Sequence, residues 1–374
     1  MLEHMPAFTV VIAPDSFKGT ATAVDVADAI ASGWASVRPN DVLRHFPMAD
    51  GGEGTLDAFA AAVPGATRMP VTVQGPDDRP VDSCWLLLPD GTGVVELANT
   101  SGLGLLDRLR PLDAHTLGFG QAIAAALDHG VDRLLLAVGG SSSTDGGAGA
   151  LTALGARFLD AEGQQIALGN RGLGDLDRVD LSDLRALPAG GATVLSDVTS
   201  PLLGPAGAAS VFGAQKGADA TQLRVMEANL AALATRMPAK ADLPGTGAAG
   251  GTAFGLVAWG AVIAAGSGAV GDAVGLPGAI SGADIVITGE GRFDDQSDAG
   301  KVASYVRGLA EAADVTALLV AGSIGAETRG FVGAQSLTEL AGSSAAAMGD
   351  PLRYLRVAGT ALAASGAEVA AARS

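Results

Sequence analysis

Nineteen arginines but only four lysines supply the basic charge of this 374-residue chain, and three of those lysines stand in loops rich in glycine, serine and aspartate. Lys18 lies in APDSFKGT (13–20), Lys216 in VFGAQKGA (211–218) and Lys301 in TGEGRFDDQSDAGK (288–301), whereas Lys240 falls in an unremarkable polar stretch. An ammonium on a flexible stem meets phosphate as a point charge, where arginine brings a planar fork. The pattern therefore suggests anion chemistry at these loops. The plainer account, three solvated surface lysines, loses ground once their neighbours are read.

Five segments hold those neighbours. In APDSFKGT, Asp15, Ser16 and Lys18 leave a strand-like run and enter a helix, and a helix N-terminus favours anions. In MADGGEGT (48–55), Asp50 and Glu53 flank glycines after another strand-like run, a pairing that suits Mg²⁺, a hydroxyl proton acceptor or a simple turn. VGGSSSTDGGAGAL (138–151) sets four consecutive hydroxyls between glycine pairs, with Asp145 beside them. Wedged between a buried strand and a helix, it can offer N–H and O–H donors to a polyphosphate. LSDVTSPLLGPAGAASVFGAQKGA (195–218) opens on Asp197 and closes on Lys216. TGEGRFDDQSDAGK gathers Glu290, Arg292, Asp294, Asp295 and Lys301, of which Asp295 and the nearby Asp298 read as a solvated face.

Strand-like runs at Thr9–Ala13, Val42–Pro47, Arg133–Val138, Ala192–Leu195, Asp284–Thr288 and Ala317–Ala321 must position these loops. Helical patterns lie between several of them. Thr22 with Asp25 reads as a helix start before Val26, Ile30 and Trp34, and Gly130 as the stop after Phe119, Ile123 and Leu127. Alternation of this kind predicts a largely parallel sheet covered by helices. Residues 70–98 differ, because short runs separated by GPDD and PDGTG predict a meander. The fold class expected is α/β in two domains, with a mixed domain (70–274) inserted into a discontinuous one (1–69 and 275–374). Most of the candidate loops then follow strands, where open α/β sheets place their ligands.

Composition narrows the function classes. A net charge of −17 argues against general nucleic-acid binding and against docking on anionic lipid. The single Cys84 cannot form an internal disulfide, and no secretory leader is legible, so a cytoplasmic protein is expected. The uncharged span Pro244–Gly271 is mostly glycine and alanine and reads as a loop followed by a buried helix, with no membrane span. The oligomeric state is open.

No G-x-x-x-x-G-K-[ST], H-R-D, D-F-G, H-E-x-x-H or G-x-S-x-G occurs. Gly245-Thr-Gly247-Ala-Ala-Gly250 matches a dinucleotide fingerprint, which keeps an NAD-dependent oxidoreductase as an alternative. That reading requires a strand before Gly245, and ADLP stands there instead. A non-catalytic nucleotide-binding protein is the third reading.

In order along the chain, APDSFKG, ADGGEGT, GGSSSTDGGAGAL, SDVTSPLLGPAGAASVFGAQKGA, GTGAAGG and TGEGRFDDQSDAGK resemble the signatures of bacterial glycerate kinases of the type-1 family. The likeness runs from about Val10 to Ser323. It departs at Ser142, Ser143 and Thr144, where many members carry Ala-Thr-Asn, and the part after Ser323 is less familiar. The resemblance implies transfer of the ATP γ-phosphoryl group to D-glycerate, with Mg²⁺, and a product leaning towards 2-phosphoglycerate. It also implies a Rossmann-like domain, a second α/β domain and an active site in the cleft between them. The expected catalytic residues are then Lys18, Asp197 and Asp50, and the expected substrate contacts Ser16, Arg292, Lys216 and Asp294. ATP would meet Gly139, Gly140, Ser141, Thr144, Gly146 and Gly147. Asp197 and Glu290 are the expected Mg²⁺ ligands, and whether Asp197 or Asp50 accepts the hydroxyl proton stays open.

Overall fold

The computed structural model describes residues 7–294 and 301–373, with side chains to residue 365. The chain divides into two compact units. One comprises Met1–Asp50, Asp57–Pro64 and Ser267–Ser374, and the other Gly51–Leu56 and Gly65–Gly266. These limits depart from the expected breaks at 69/70 and 274/275. The first strand of the meander begins at Thr67, before Pro70, and Tyr305 ties Asp272 to the first unit through its hydroxyl.

The first unit is built on strands β1 (Thr9–Pro14) and β2 (Val42–His45) with three strands from the far end of the chain. After eight strands of the other unit, β3 to β10, these are β11 (Ile285–Phe293), β12 (Thr316–Ile324) and β13 (Gly333–Ser336). All pair in parallel in the order β13-β12-β11-β1-β2. TVVIAP, the first part of IVITGEGRF and TALLVA are near-continuous apolar runs, as burial on both faces requires. The helix Ala23–Ala35 starts where Thr22 Oγ1 accepts the Asp25 N–H at 3.1 Å. It packs on the C-terminal helix Pro351–Arg373, and glycine is required on both sides of the crossing. A Cβ at Gly33 would strike the backbone of Arg356, and one at Gly359 that of Ile30. Successive connections run outward from β1 to β2 on one side and from β11 to β12 and β13 on the other. Strand order therefore reverses between β1 and β11, and open sheets bind ligands at the carboxyl ends of such a pair.

The second unit holds β3 (Thr67–Gln74), β4 (Pro80–Leu87), β5 (Thr92–Glu96), β6 (Arg133–Ala137), β9 (Ala192–Leu195) and β10 (Val262–Ala264) in one sheet. Its order is β10-β9-β6-β5-β4-β3. The predicted meander is present as antiparallel β3-β4-β5, and β5, β6, β9 and β10 run parallel. A short pair, β7 (Arg157–Leu159) with β8 (Arg178–Asp180), stands apart. Phe119, Phe158, Phe254 and Trp85 fill the core. The helix Leu117–His129 ends on Gly130, left-handed at φ 90°. The uncharged span folds as turns, a buried helix Thr252–Trp259 and β10. Among the described residues no helix is long and apolar enough to cross a membrane.

Candidate functional site

In the first unit the chain leaves β1 through Pro14 and turns at once. The Asp15 N–H donates to Gly289 O at 2.8 Å, and the Ser16 N–H to Asp15 Oδ1 at 2.6 Å. Across the strand pair, Pro14 faces Gly289, which places Asp15 beside Glu290. The Phe17–Lys18 backbone lies against Gly291, where an added Cβ would contact both residues at 3.5 Å. Glu290 is buried, Lys18 exposed, and Asp50 half-buried. The Met48 N–H donates to Pro14 O at 2.9 Å, bringing the segment before Asp50 to the same strand end. Burial, with added repulsion from Asp50 and Glu290, pushes the Asp15 carboxyl up to about 8. The Ser16 N–H and the Lys18 ammonium pull against that shift. A carboxyl that gains or loses a proton near neutral pH thus sits at the switch point of the sheet.

In the second unit Glu96 pairs with Ala137 and Ala137 with Leu195, so β5, β6 and β9 end level. The Gly139–Gly147 loop leaves the middle strand. Gly51 covers it and accepts the Gly139 N–H at 3.0 Å; its φ of 87°, and a would-be Cβ 2.5 Å from Leu195 O, exclude any other residue there. Glu96 holds the segment beyond by accepting from the Gly54 and Leu56 N–H groups at 3.2 and 3.0 Å. Asp145 organises the loop from within. Its Oδ2 accepts from Thr116 N, Thr116 Oγ1 and Gly149 N, and its Oδ1 from Gly147 N. Ser142 donates through both N–H and hydroxyl to Ser101 O, and the hydroxyls of Ser141 and Ser143 lie 3.2 Å apart. The Gly146 N–H reaches Gly250 O at 3.1 Å. At the end of β9, Asp197 Oδ1 accepts the Gly266 N–H at 2.8 Å.

A model of the glycerate kinase family matches residues 10–366. This chain belongs to the glycerate kinase family. The match takes in the stretch after Ser323 that looked less familiar as sequence. A glycerate kinase of Bacillus subtilis (strain 168) is 42% identical over 326 residues, covering 84% of this chain and 85% of that protein. A glycerate 2-kinase of Escherichia coli (strain K12) is 39% identical over 325 residues, with 84% and 85% covered. A crystal structure from Salmonella typhimurium LT2, assigned as a glycerate kinase 2, superposes with a TM-score of 0.82 at 35% identity and covers 96% of this chain and 98% of that one. As a member of the family, the chain is an ATP-dependent kinase whose acceptor is an alcohol group.

Within this glycerate kinase family member, the expected residues fall into two sets. Ser16, Lys18, Asp50, Glu290, Arg292 and Asp294 belong to the first unit, and Gly139–Gly147, Asp197 and Lys216 to the second. Arg292 is well exposed and pairs with Asp294 at 3.0 Å. Glu290 and Arg292 lie on a strand, not in the loop expected, because β11 continues to Phe293 against β12. Asp295 and Asp298 fall outside the described residues.

Two expectations are corrected. The loop hydroxyls were to face a polyphosphate, yet Ser141, Ser142, Ser143 and Thr144 are all buried, with the Ser142 hydroxyl donating to Ser101 O and those of Ser141 and Ser143 set against each other. Gly139 and Gly140 are the half-buried part of that loop. Lys216 was to touch substrate, yet it is 2% exposed and its ammonium donates to the Ser143 carbonyl. The dinucleotide reading of Gly245–Gly250 also fails, since turns and no strand precede Gly245. As sequence, Asp15 reads with Ser16 and Lys18 beside a helix N-terminus but carries no role of its own. Its signal was its place at the end of the first apolar run, where acids are costly unless used.

Proposed function

We propose that the chain transfers the γ-phosphoryl group of ATP to a hydroxyl of D-glycerate, giving 2-phosphoglycerate and ADP. The observation that carries this reading is the group formed by Asp15, Asp50, Glu290 and Lys18 at the β1/β11 carboxyl ends. An acceptor hydroxyl needs a proton acceptor, and its neighbouring carboxylate needs a cation. Asp15 or Asp50 takes the proton as the hydroxyl oxygen bonds to the γ-phosphorus and the bond to the bridging oxygen of ADP breaks. Lys18, Arg292, Ser16 and Asp294 hold the glycerate carboxylate and hydroxyls. Gly139 and Gly140 lie against the ATP phosphates, and Ser141, Thr144, Gly146 and Gly147 shape the loop that carries them. The wider chemistry is alignment and charge neutralisation, which ask little covalent work of the protein.

Mg²⁺ suits the donor set. Asp197 in the second unit and Glu290 in the first are separate candidates, each offering hard carboxylate oxygens, and Mg²⁺ on a nucleotide takes only one or two of these from a protein. Among the described residues no group of three or more His, Cys, Asp or Glu could hold a metal unaided. When bound, the ion neutralises charge on the transferring phosphoryl group. The Escherichia coli relative's name as a 2-kinase supports the 2-isomer. The single Cys84, which is free, supports a cytoplasmic setting.

An ADP-release assay with and without D-glycerate, followed by phosphorus NMR of the product, tests the reading. ADP release that depends on glycerate, with phosphate on C2, is expected. ADP release indifferent to glycerate would overturn the assignment, and phosphate on C3 would overturn the regiochemistry alone.

A further inference from the structure

We propose that Lys216 is a positioning residue, which sets the nucleotide loop Gly139–Gly147 from its buried side and never touches substrate. This rests on reading that loop as the ATP phosphate site. Lys216 ends the short turn Ala214–Lys216, and Gly217 follows in the left-handed region at φ 90°, so the chain reverses and the side chain runs inward. Its Nζ donates to the Ser143 carbonyl, in the middle of the loop. Space for the ammonium exists because residue 250 is glycine. A Cβ there would stand 2.8 Å from Lys216 Nζ and 2.7 Å from Thr144 Cα, in a backbone held at φ 66°. Gly250 also accepts the Gly146 N–H, so one contact patch joins Lys216, Gly250 and both halves of the loop.

Asp145 is the charged group acting on Lys216. Its carboxylate already accepts four hydrogen bonds, from Thr116 N, Thr116 Oγ1, Gly147 N and Gly149 N. The ammonium therefore balances a buried negative charge while its hydrogen bond fixes the Ser143 peptide. Thr144 Oγ1 next to that peptide is buried with no hydrogen-bond partner among the described residues. That hydroxyl therefore adds no hydrogen bond to hold the loop, and the Lys216 bond to the Ser143 carbonyl is what ties this stretch from the buried side. Burial pushes the Lys216 ammonium down to about 8, with Asp145 opposing. Deprotonation just above neutral pH then removes the loop's counter-charge.

Calorimetric titration of ATP into wild type and Lys216→Met, between pH 7 and 9.5, tests this. Wild type should bind ATP at pH 7 and lose affinity about 10-fold as the pH passes 8, while Lys216→Met binds roughly 10- to 100-fold more weakly at pH 7, the scale of a lost charge-assisted hydrogen bond. The variant's affinity should also be flat with pH. Equal affinity in the two proteins, or a wild-type affinity that is flat across this range, overturns the proposal while leaving the loop as the ATP site. If wild type binds no ATP, both readings fall. Should Lys216→Met not fold, the wild-type pH profile, with Lys216→Gln as second variant, decides alone. A purely structural lysine would lower the melting temperature without moving the pH profile of ATP binding.

Discussion

Replacing Asp15 by asparagine should make the protein more stable at pH 8.5 while abolishing most of its activity. A carboxyl that ionises at 3.8 in the unfolded chain and near 8 in the folded one makes stability depend on pH between those values. Below 3.8 both states hold the proton and no penalty arises. As the pH rises the unfolded chain loses its proton first, so stability falls, and the full penalty is reached above 8. At about 1.4 kcal/mol per pH unit the span corresponds to roughly 5–6 kcal/mol, an upper bound because Asp15 is only half-buried and water screens its charge. A net effect of about 2–4 kcal/mol is the working expectation. Asparagine cannot ionise, yet its Oδ1 still accepts the Ser16 N–H that Asp15 now takes at 2.6 Å. Thermal unfolding of wild type and Asp15→Asn at pH 5, 7 and 8.5, in chelator and without nucleotide, gives the difference at each pH. Other titrating groups cancel in that difference. The variant should gain about 2–4 °C per kcal/mol, growing from pH 5 to pH 8.5, and kcat should drop by about 10²-fold or more. A stability difference that does not change with pH, or a variant less stable at 8.5, would refute the reasoning.

Other substitutions separate the remaining roles. Lys18→Ala should lose roughly 10²–10³ in kcat/KM while melting within a few degrees of wild type, since Lys18 is exposed, and Lys18→Arg should recover only part; near-normal kinetics for both would make Lys18 a surface charge. Asp197→Asn keeps an acceptor for the Gly266 N–H and should fold normally with kcat reduced about 10²-fold or more, measured across a Mg²⁺ titration; a normal rate and Mg²⁺ dependence would mark a turn former. Gly250→Ala should lower stability by about 1–3 kcal/mol, read by denaturant unfolding, because its Cβ meets Thr144 and Lys216 in a left-handed backbone. No change in the unfolding midpoint would remove Gly250 from the argument.

Much of the scaffold was legible because local composition and tertiary burial agree. Ala192–Leu195 is a strand with those bounds, and Gly130 stops its helix as read. GEGR, by contrast, is turn-like in isolation and becomes strand only because Arg292 and Phe293 pair with Ser323 and Ile324. The inward course of Lys216 depends on an absent side chain at Gly250, in another loop. Asp15 is crowded because β11 pairs with β1 across most of the chain's length; Thr288 Oγ1, for instance, donates to Ala13 O at 2.9 Å. Motif composition located the loops. The direction of each side chain within them depended on contacts distant in sequence.

Two half-buried acids of the first unit show why the sign of a pKa shift separates structural from functional charge. For Asp41, burial alone would raise the carboxyl, but Arg38, Trp34 and the Phe8 N–H outweigh it and hold it below the usual range. Their bonds are short, 2.6 Å from Arg38 Nε, 2.9 Å from Trp34 Nε1 and 3.1 Å from Phe8 N. Asp41 therefore adds stability above the normal carboxylate range and loses it in acid, as a structural ion pair should. Asp15 has the opposite sign, with two acids for neighbours, and asparagine would fit its place at less cost to the fold. Lys216 differs, because its buried ammonium is held by the Ser143 carbonyl and by the Asp145 charge and supports its loop. Asp15 burdens the fold at the loop that leaves the carboxyl end of β1. A side chain whose removal should stabilise its own unit, standing where such sheets bind ligands, is retained for chemistry.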